Sequence, residues 1–173
     1  NKPISLDEID TICYFIYEVI ILLKNWDNAI ITDINIATYV APGLGVSIHT
    51  NRKFHGFVLN DSASDKKIHF SDGTIIHTNP CDLHYLPKGS DYRVETISKG
   101  GCYAINFSIL DEIDEHPFSI SIKNYESILR IFKECVTLWG SKNSYTNAYV
   151  RKSVYDIIIR IKKESSGAKM SGL

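Results

Sequence analysis

The stretch "CDLHYLPKGSDYRVE", residues 81–95, decides the fold of this sequence. It contains a short strand-like run, then Pro-x-Gly at 87–89, then a second strand-like run that begins at Tyr92. Proline and glycine at this spacing are typical of a tight turn between two strands. The stretch therefore predicts two short β-strands, and Tyr92 carries the first side chain of the second.

Outward from this stretch, the sequence keeps a period of two from about residue 30 to residue 110. "KKIHF" and "TIIHT" are joined by "SDG", which predicts a hairpin because Gly73 tolerates a positive φ. "YRVETI" and "CYAINFSI" flank "SKGG", which predicts a second hairpin. About seven short strands with turns this frequent indicate a barrel or a jelly roll.

Helical patterns flank the β-rich part. Residues 5–24 begin with a Ser-x-x-Glu capping box and continue with apolar residues at helical spacing. Two further amphipathic stripes run over 125–139, with Gly140 as the expected C-terminal cap, and over 145–164. The predicted fold class is mainly β with flanking helices: a jelly-roll barrel, one N-terminal helix and two C-terminal helices.

The composition is that of one globular domain, with 173 residues, 44% of them apolar and 23% charged. Residues 1–150 carry 13 Lys and Arg against 18 Asp and Glu, a net charge of −5. Residues 151–173 carry 6 against 2, a net charge of +4. The acidic bulk argues against tight binding of nucleic-acid phosphates by this chain itself.

The four cysteines form no C-x-x-C pair; they are Cys13, Cys81, Cys102 and Cys135. We expect four separate thiols in a reducing cytosol, and therefore a cytoplasmic protein, since two disulfides would require a secreted context. The apolar run at 12–23 is interrupted by Glu18, lacks a basic leader and is too short to span a bilayer. No membrane partner is predicted.

Metal chemistry is not predicted either. Metal-binding cupins typically carry two histidines around one residue, a glutamate a few residues later, and then Pro-x-Gly-x-x-His. Here Tyr92 stands in the place of the last histidine, and His55 has no second histidine two residues away. The sequence also lacks a nucleophile elbow and a glycine-rich phosphate loop. We therefore expect no metal, no cofactor and no catalytic residue.

Three segments together carry a family resemblance: "HGFVLN", "KIHFSDGTIIHTNPCDLHYLPKGSDYRV" and "GGCYAINFSI". Over about residues 30–164, the chain resembles the sensor domain of AraC-type bacterial transcription regulators, which is a cupin-like jelly-roll barrel followed by two helices. Two features depart from that pattern: Cys81 stands where the family usually has glycine, and 5–24 reads as a helix where some members have a flexible arm.

The resemblance implies a division of the chain. Residues 1–28 are predicted to form a helix that packs on the barrel, 29–117 the cupin-like barrel, and 118–164 a two-helix dimerisation segment. Residue 1 is Asn and the sole methionine is Met170, so we expect a piece of a longer protein. Residues 165–173 are then a linker to a helix-turn-helix domain absent from this chain, and DNA is expected to bind only through that domain.

In such barrels a small-molecule effector, for example a sugar, sits inside. With Tyr92 inward, strand parity also turns Val94 inward. On the next strand, the resemblance implies that Ala104 and Asn106 point inside and that Ile105 and Phe107 lie against the outer layer. The predicted ligand-binding residues are Arg52, Phe54, Val58, Tyr92, Val94, Ala104 and Asn106. Alternatively, the same side chains fill a solid barrel.

The resemblance also implies a homodimer through the C-terminal helices. Tyr155, Ile158 and Ile159 extend the apolar stripe of the last helix beyond one face, which predicts an exposed dimerisation patch.

Two alternatives stay open at this point. One is a metal-free cupin enzyme, such as a sugar epimerase or isomerase, with His55, His77 or His84 as its base; the other is a dimerisation scaffold with a filled barrel.

Overall fold

The computed structural model describes residues 25–43, 45–111, 113 and 116–170. Within them lie nine β-strands: β1 Ile31–Val40, β2 Val46–His49, β3 His55–Asn60, β4 Asp65–Phe70, β5 Ile75–Thr78, β6 Asp82–Leu86, β7 Tyr92–Ser98, β8 Cys102–Ile109 and β9 Phe118–Ser121. A short 3-10 helix, Asn25–Asn28, precedes them, and two α-helices follow, α1 Tyr125–Ser141 and α2 Thr146–Met170.

The strands form two antiparallel sheets. One has five strands in the order β1-β8-β3-β6-β9, and the other has four in the order β2-β7-β4-β5. The mainly β fold class and the two helices after the strands are confirmed. The predicted N-terminal helix at 5–24 lies outside the described residues. In the described part of the chain, neither helix is long and apolar enough to cross a membrane.

Strands β3 and β6 of the five-stranded sheet are buried on both faces. On one face, Phe57 and Ile105 pack with Trp26 of the 3-10 helix and with Phe132 and Ile157 of the α-helices. Such an arrangement follows from the alternation of strand side chains, because Phe57 and Leu59 of β3 and Ile105 and Phe107 of β8 share the face that the helices cover. The prediction that Ile105 lies against an outer layer is confirmed.

A second apolar cluster lies between the two sheets. Val58, Leu86 and Ala104 come from the five-stranded sheet, whereas Ile68 and Tyr92 come from the four-stranded sheet. Val58, Leu86 and Ala104 have the opposite parity to the residues of the same strands that face the helices. The space between the sheets is therefore packed with side chains over most of its length.

The predicted hairpin around Gly73 is confirmed, and the predicted hairpin around 98–101 is wrong. Strands β4 and β5 pair across a turn in which Gly73 has a φ of 91°. In contrast, β7 pairs with β2 and β4, while β8 pairs with β1 and β3. Residues 99–101 thus carry the chain from one sheet to the other, and a glycine-rich link can do this as readily as it can turn a hairpin.

Two strands were not predicted, and one of them moves a boundary. Strand β9 pairs with β6 at the edge of the five-stranded sheet, so residues 118–121, the start of the predicted two-helix segment 118–164, form a strand of this sheet. Strand β2 is a short edge strand whose four residues are all exposed. Its four residues, Val-Ser-Ile-His, alternate apolar and polar, but the run is short and both apolar side chains are exposed.

The helices end later than predicted. Helix α1 continues through Gly140 to Ser141, and Lys142 adopts the left-handed conformation and donates its N–H to the Leu138 carbonyl. Helix α2 runs to Met170, so that the first six residues of the predicted linker 165–173 continue this helix. The last three residues of that linker lie outside the described residues.

Cys81 occupies a conformation that favours glycine. Its φ is 67°, in the left-handed region, where a Cβ crowds the backbone. Glycine adopts this conformation without that crowding because it has no Cβ. Like Cys102 and Cys135, Cys81 is a free thiol, while Cys13 lies outside the described residues.

We therefore expect Cys81→Gly to stabilise the protein by about 0.5–1 kcal/mol, because relief of the left-handed strain exceeds the added entropy of the unfolded chain. Urea denaturation measures the change. Cys81→Ala is the matched control, because it removes the thiol and keeps the Cβ. A glycine variant no more stable than the alanine variant would contradict the prediction.

Candidate functional site

An open cleft of about 410 Å³ lies at one end of the space between the sheets. It is lined by residues 48–54 together with Tyr92 of the four-stranded sheet and Asn106 of the five-stranded sheet. Three of the predicted ligand-binding residues, Arg52, Tyr92 and Asn106, therefore meet in one place, and Phe54 stands beside them. Segment 48–54 contains the end of β2 and the loop that leads into β3.

Arg52 is the centre of the cleft. Its Nη1 donates to the Tyr92 hydroxyl at 2.7 Å, and its Nη2 donates to Asn106 Oδ1 at 2.6 Å. The side chain is half-buried, and its Nε is buried without a hydrogen-bond partner. The guanidinium thus links the two sheets through one phenol and one amide, both uncharged.

The Pro-x-Gly turn holds Arg52 in position. The Arg52 N–H donates to the Ser90 carbonyl at 3.1 Å, and the Arg52 carbonyl accepts from the Gly89 N–H at 2.7 Å. Gly89 has a φ of 81°, so glycine is needed there for the turn to present its N–H. The neighbouring N–H of Asn51 donates to Asp91 Oδ1 at 2.6 Å. The stretch 81–95 therefore positions the cleft as well as two strands.

Gly56 provides the space through which Arg52 reaches Asn106. Gly56 lies opposite Asn106 in the register of β3 and β8. A Cβ at Gly56 would overlap the Arg52 guanidinium and would lie 2.6 Å from Asn106 Oδ1. Any larger side chain must displace the arginine.

Tyr92 is buried and uncharged. Only 5% of the residue is exposed, and its ring stacks on His49 at 4.7 Å and packs against Phe70 at 5.5 Å. Burial raises the pKa of the Tyr92 hydroxyl, and the nearby Arg52 offsets part of this rise. Burial also lowers the pKa of His49, and the charge of Arg52 lowers it further. The charge of Arg52 therefore acts on both rings.

The other predicted ligand residues do not line the cleft, with the exception of Phe54. Val58 and Ala104 face each other across β3 and β8, and Val94 packs beside them in the buried cluster between the sheets. Phe54 was predicted to point inside, but it is 36% exposed at the rim because β3 begins only at His55. Strand parity does not extend into the loop that precedes a strand.

Sequence reasoning missed most of segment 48–54. Asn51 adopts a positive φ of 47° in the loop, and Ile48 is 74% exposed although it belongs to strand β2. The signal that was available is the polar run "HTNRK" at 49–53, which interrupts two strand-like segments.

His84 is a second buried polar group between the sheets. It is 3% exposed, pairs with Val58 in the sheet, and has no hydrogen-bond partner for Nδ1. Burial lowers its pKa to about 3, with smaller contributions from the charges of Lys66 and Arg52. Burial likewise raises the pKa of the nearby Cys102 thiol. Both side chains are buried, and neither lines the cleft.

The remaining histidines do not converge on the cleft. His77 contacts Asp65 at 2.7 Å and His69 contacts Glu95 at 3.1 Å, and all four side chains are partly exposed on the four-stranded sheet. His55 contacts the Tyr85 hydroxyl at 2.6 Å on the helix-facing side. Across the described ranges, no three His, Cys, Asp or Glu side chains are grouped as a metal site would require.

Two of the three residues of the predicted dimerisation patch pack wholly or partly against the protein's own core. Ile158 is 4% exposed and belongs to the cluster between the helices and the five-stranded sheet. Tyr155 is half-buried, and its hydroxyl accepts the Ile31 N–H at 2.9 Å. Ile159 is 49% exposed. The stripe of α2 is wide because the helix packs against both α1 and β1, so its extra width does not indicate an exposed patch.

Comparisons with known proteins identify no family for this chain. The sequence matches no protein-family model and no curated protein. Among solved structures, protein NMB1881 from Neisseria meningitidis is 16% identical over 46% of this chain and 84% of its own, with a TM-score of 0.34. At this similarity it identifies neither the fold nor a function of this chain.

Proposed function

We propose that this chain is the ligand-sensing and dimerisation domain of an AraC-type transcription regulator that acts in the cytoplasm. The nine strands form a cupin-like jelly-roll barrel in this proposal, and a small-molecule effector binds in the cleft at its mouth. The observation that carries the proposal is the convergence of Arg52, Tyr92 and Asn106, from a loop and two different sheets, on one open cleft.

A site built across two sheets suits a sensor. The effector would contact groups from both sheets at once, so its binding would favour one relative placement of the sheets over others. The rim at Phe54 and Ile48 adds apolar surface to the polar groups, the usual make-up of a small-molecule site.

The alternative of a metal-free enzyme has less support. Such an enzyme needs a histidine next to a carboxylate in the barrel interior. In the described part of the chain, the histidine–carboxylate contacts of His77 and His69 are on the partly exposed surface of the four-stranded sheet. His55 contacts a phenol, and His84 has no partner for Nδ1.

Gly56→Ala tests the cleft. We expect loss of about tenfold or more in affinity for any effector, because the new methyl group displaces Arg52 from Asn106. The cost to folding should be about 1–3 kcal/mol, since the arginine can swing into solvent. The measurement is a thermal-shift screen of sugars, sugar acids and short organic acids, followed by calorimetry of any compound that raises the melting temperature.

Gly43→Ala is the matched control, because nothing lies within 4 Å of a Cβ at Gly43. It should bind as the unmodified protein does. Equal binding by both variants would place the effector elsewhere, and a screen with no stabilising compound would remove support for a sensor.

Dimerisation is tested at Ile159, the exposed member of the predicted patch. If α2 joins two copies, Ile159→Glu should weaken the dimer about tenfold or more, because an unpaired carboxylate would be buried. The free energy of unfolding of the monomer should change little, because the side chain is exposed. Sedimentation velocity measures both proteins, with Ile75→Glu, on the four-stranded sheet and 61% exposed, as the control. A dimer that tolerates Ile159→Glu, or an unmodified protein that is monomeric at high concentration, would contradict the proposal.

The regulator assignment has a separate test. The reading frame downstream of residue 173 should encode a pair of helix-turn-helix units, and the longer protein should bind DNA in a salt-dependent manner. A longer protein without such units would overturn the assignment while leaving the ligand site open to test.

A further inference from the structure

We infer that the ligand of the cleft is a small organic carboxylate held by Arg52. The inference rests on the proposed function, because it names the chemical class of the effector for the same site.

The charge of the cleft is unbalanced. Its lining contains two cationic side chains, Arg52 and Lys53, and no Asp or Glu. Among the described residues, no carboxylate forms an ion pair with Arg52. Asp91, the acid next to Tyr92, accepts the Asn51 N–H through Oδ1. A half-buried cation without a counter-charge is costly, and an anionic ligand would offset that cost.

The neutral partners of Arg52 orient it without neutralising it. A guanidinium carries five N–H groups, and in Arg52 one from Nη1 and one from Nη2 are engaged by Tyr92 and Asn106. The same two bonds, together with the close fit over Gly56, fix the plane of the group. The second N–H of Nη1 and of Nη2 then remains for a ligand, whereas Nε is buried. An arginine held in one plane with two such donors is suited to bidentate binding of a ligand anion.

A carboxylate fits this site better than a phosphate. One planar guanidinium matches the two oxygens of a single carboxylate. A phosphate near neutral pH carries up to two charges, and the second cation, Lys53, is exposed. The exposed apolar side chains of Ile48 and Phe54 on the same rim give a hydrocarbon or ring substituent a surface to cover. The inferred ligand therefore has one carboxylate and an apolar body.

The experiment compares acids with their own amides on the unmodified protein. Hexanoate and hexanamide, benzoate and benzamide, and inorganic phosphate are titrated into the 15N-labelled chain, and the amide resonances of Gly56, Tyr92 and Asn106 are followed. We expect each acid to bind about tenfold or more tightly than its amide, because a charge-assisted bidentate pair is replaced by neutral bonds. Arg52→Gln should remove this preference.

Arg130→Gln is the matched control, because Arg130 is exposed on α1, on the helical side of the molecule. It removes the same charge and should leave the acid preference unchanged. Because the acid and amide are compared on the unmodified protein, a failure of Arg52→Gln to fold does not leave the inference untested.

The outcomes separate this inference from the proposed function. Equal binding of acids and amides, or tighter binding of phosphate than of any carboxylate, would overturn the carboxylate class and leave a small-molecule site standing. An acid preference retained in folded Arg52→Gln would overturn the role of Arg52. No change at the three resonances with any compound would overturn the inference and count against the cleft as a ligand site.

Discussion

Acidification from pH 7.5 to pH 4 is expected to destabilise this protein by about 6 kcal/mol through two buried histidines, about 3 kcal/mol each. Burial is the first cause in both. It lowers the pKa of His84 to about 3, with Lys66 and Arg52 adding to the effect, and it lowers the pKa of His55 to about 4, with Lys88 and Arg52 adding to the effect. The predicted loss is comparable to the whole stability of a typical domain.

The sign follows from proton binding. Below pH 6.5 the unfolded chain protonates both imidazoles, whereas the folded protein keeps them neutral until the pH approaches 4 for His55 and 3 for His84. The contribution of the two neutral imidazoles to the free energy of unfolding is therefore complete above pH 6.5. It is lost progressively as the pH falls toward those values. The geometry agrees for His55, since its Nδ1 faces the Tyr85 hydroxyl and the Lys88 N–H, and protonation would remove an acceptor.

Urea denaturation at half-unit steps from pH 4 to pH 7.5 measures the effect. Near pH 5 the two groups should contribute about 2.7 kcal/mol per pH unit to the slope of stability against pH, in addition to the carboxylates. His84→Leu should lower that slope by about 1.4 kcal/mol per pH unit, whatever its effect on stability at pH 7.5. Ile75→Gln is an exposed control without a titrating group. An unchanged slope in His84→Leu would show that this imidazole is already charged in the folded protein.

Gly100→Ala is expected to cost about 3 kcal/mol of stability, the second large effect. A Cβ at Gly100 would overlap the backbone at Ala63 and Ser64 and would lie 2.5 Å from Asp61 Oδ1. Unlike the arginine above Gly56, this backbone cannot swing away. The N–H of Asp61 donates to the Gly101 carbonyl at 3.1 Å, and the N–H of Gly101 donates to Asp61 Oδ2 at 2.6 Å.

The control is Gly140→Ala in α1, where nothing lies within 4 Å of the added Cβ. Alanine is the better helix former, so this variant should gain about 0.5–1 kcal/mol. Opposite changes in the urea midpoint, for the same chemical substitution, would establish that the link between β7 and β8 is packed against 61–64. A loss of less than about 1 kcal/mol in Gly100→Ala would contradict that packing.

The sequence by itself determined those features that depend on neighbouring residues. The hairpin at Gly73, the turn at 87–89 and the alternation within β8 are local, because a turn type and a pleat are set by a few adjacent residues. The alternation along β8 puts Ala104 and Ile105 on opposite faces, and the structure has Ala104 between the sheets and Ile105 in the helix-facing core.

The tertiary structure alone decided which strands pair and where Arg52 lies. A glycine-rich link between two strands is compatible with a hairpin or with a change of sheet, and the choice was made by the contact of Gly100 with 61–64, far away in sequence. Arg52 sits in a loop without periodicity, and its position depends on hydrogen bonds from the turn at 89–90 and on the gap above Gly56. Likewise, Ile158 is buried because α2 meets α1 and β1 together. Contacts between distant segments carry no local pattern, so the strand pairing, the cleft and the buried face of α2 are properties of the folded chain.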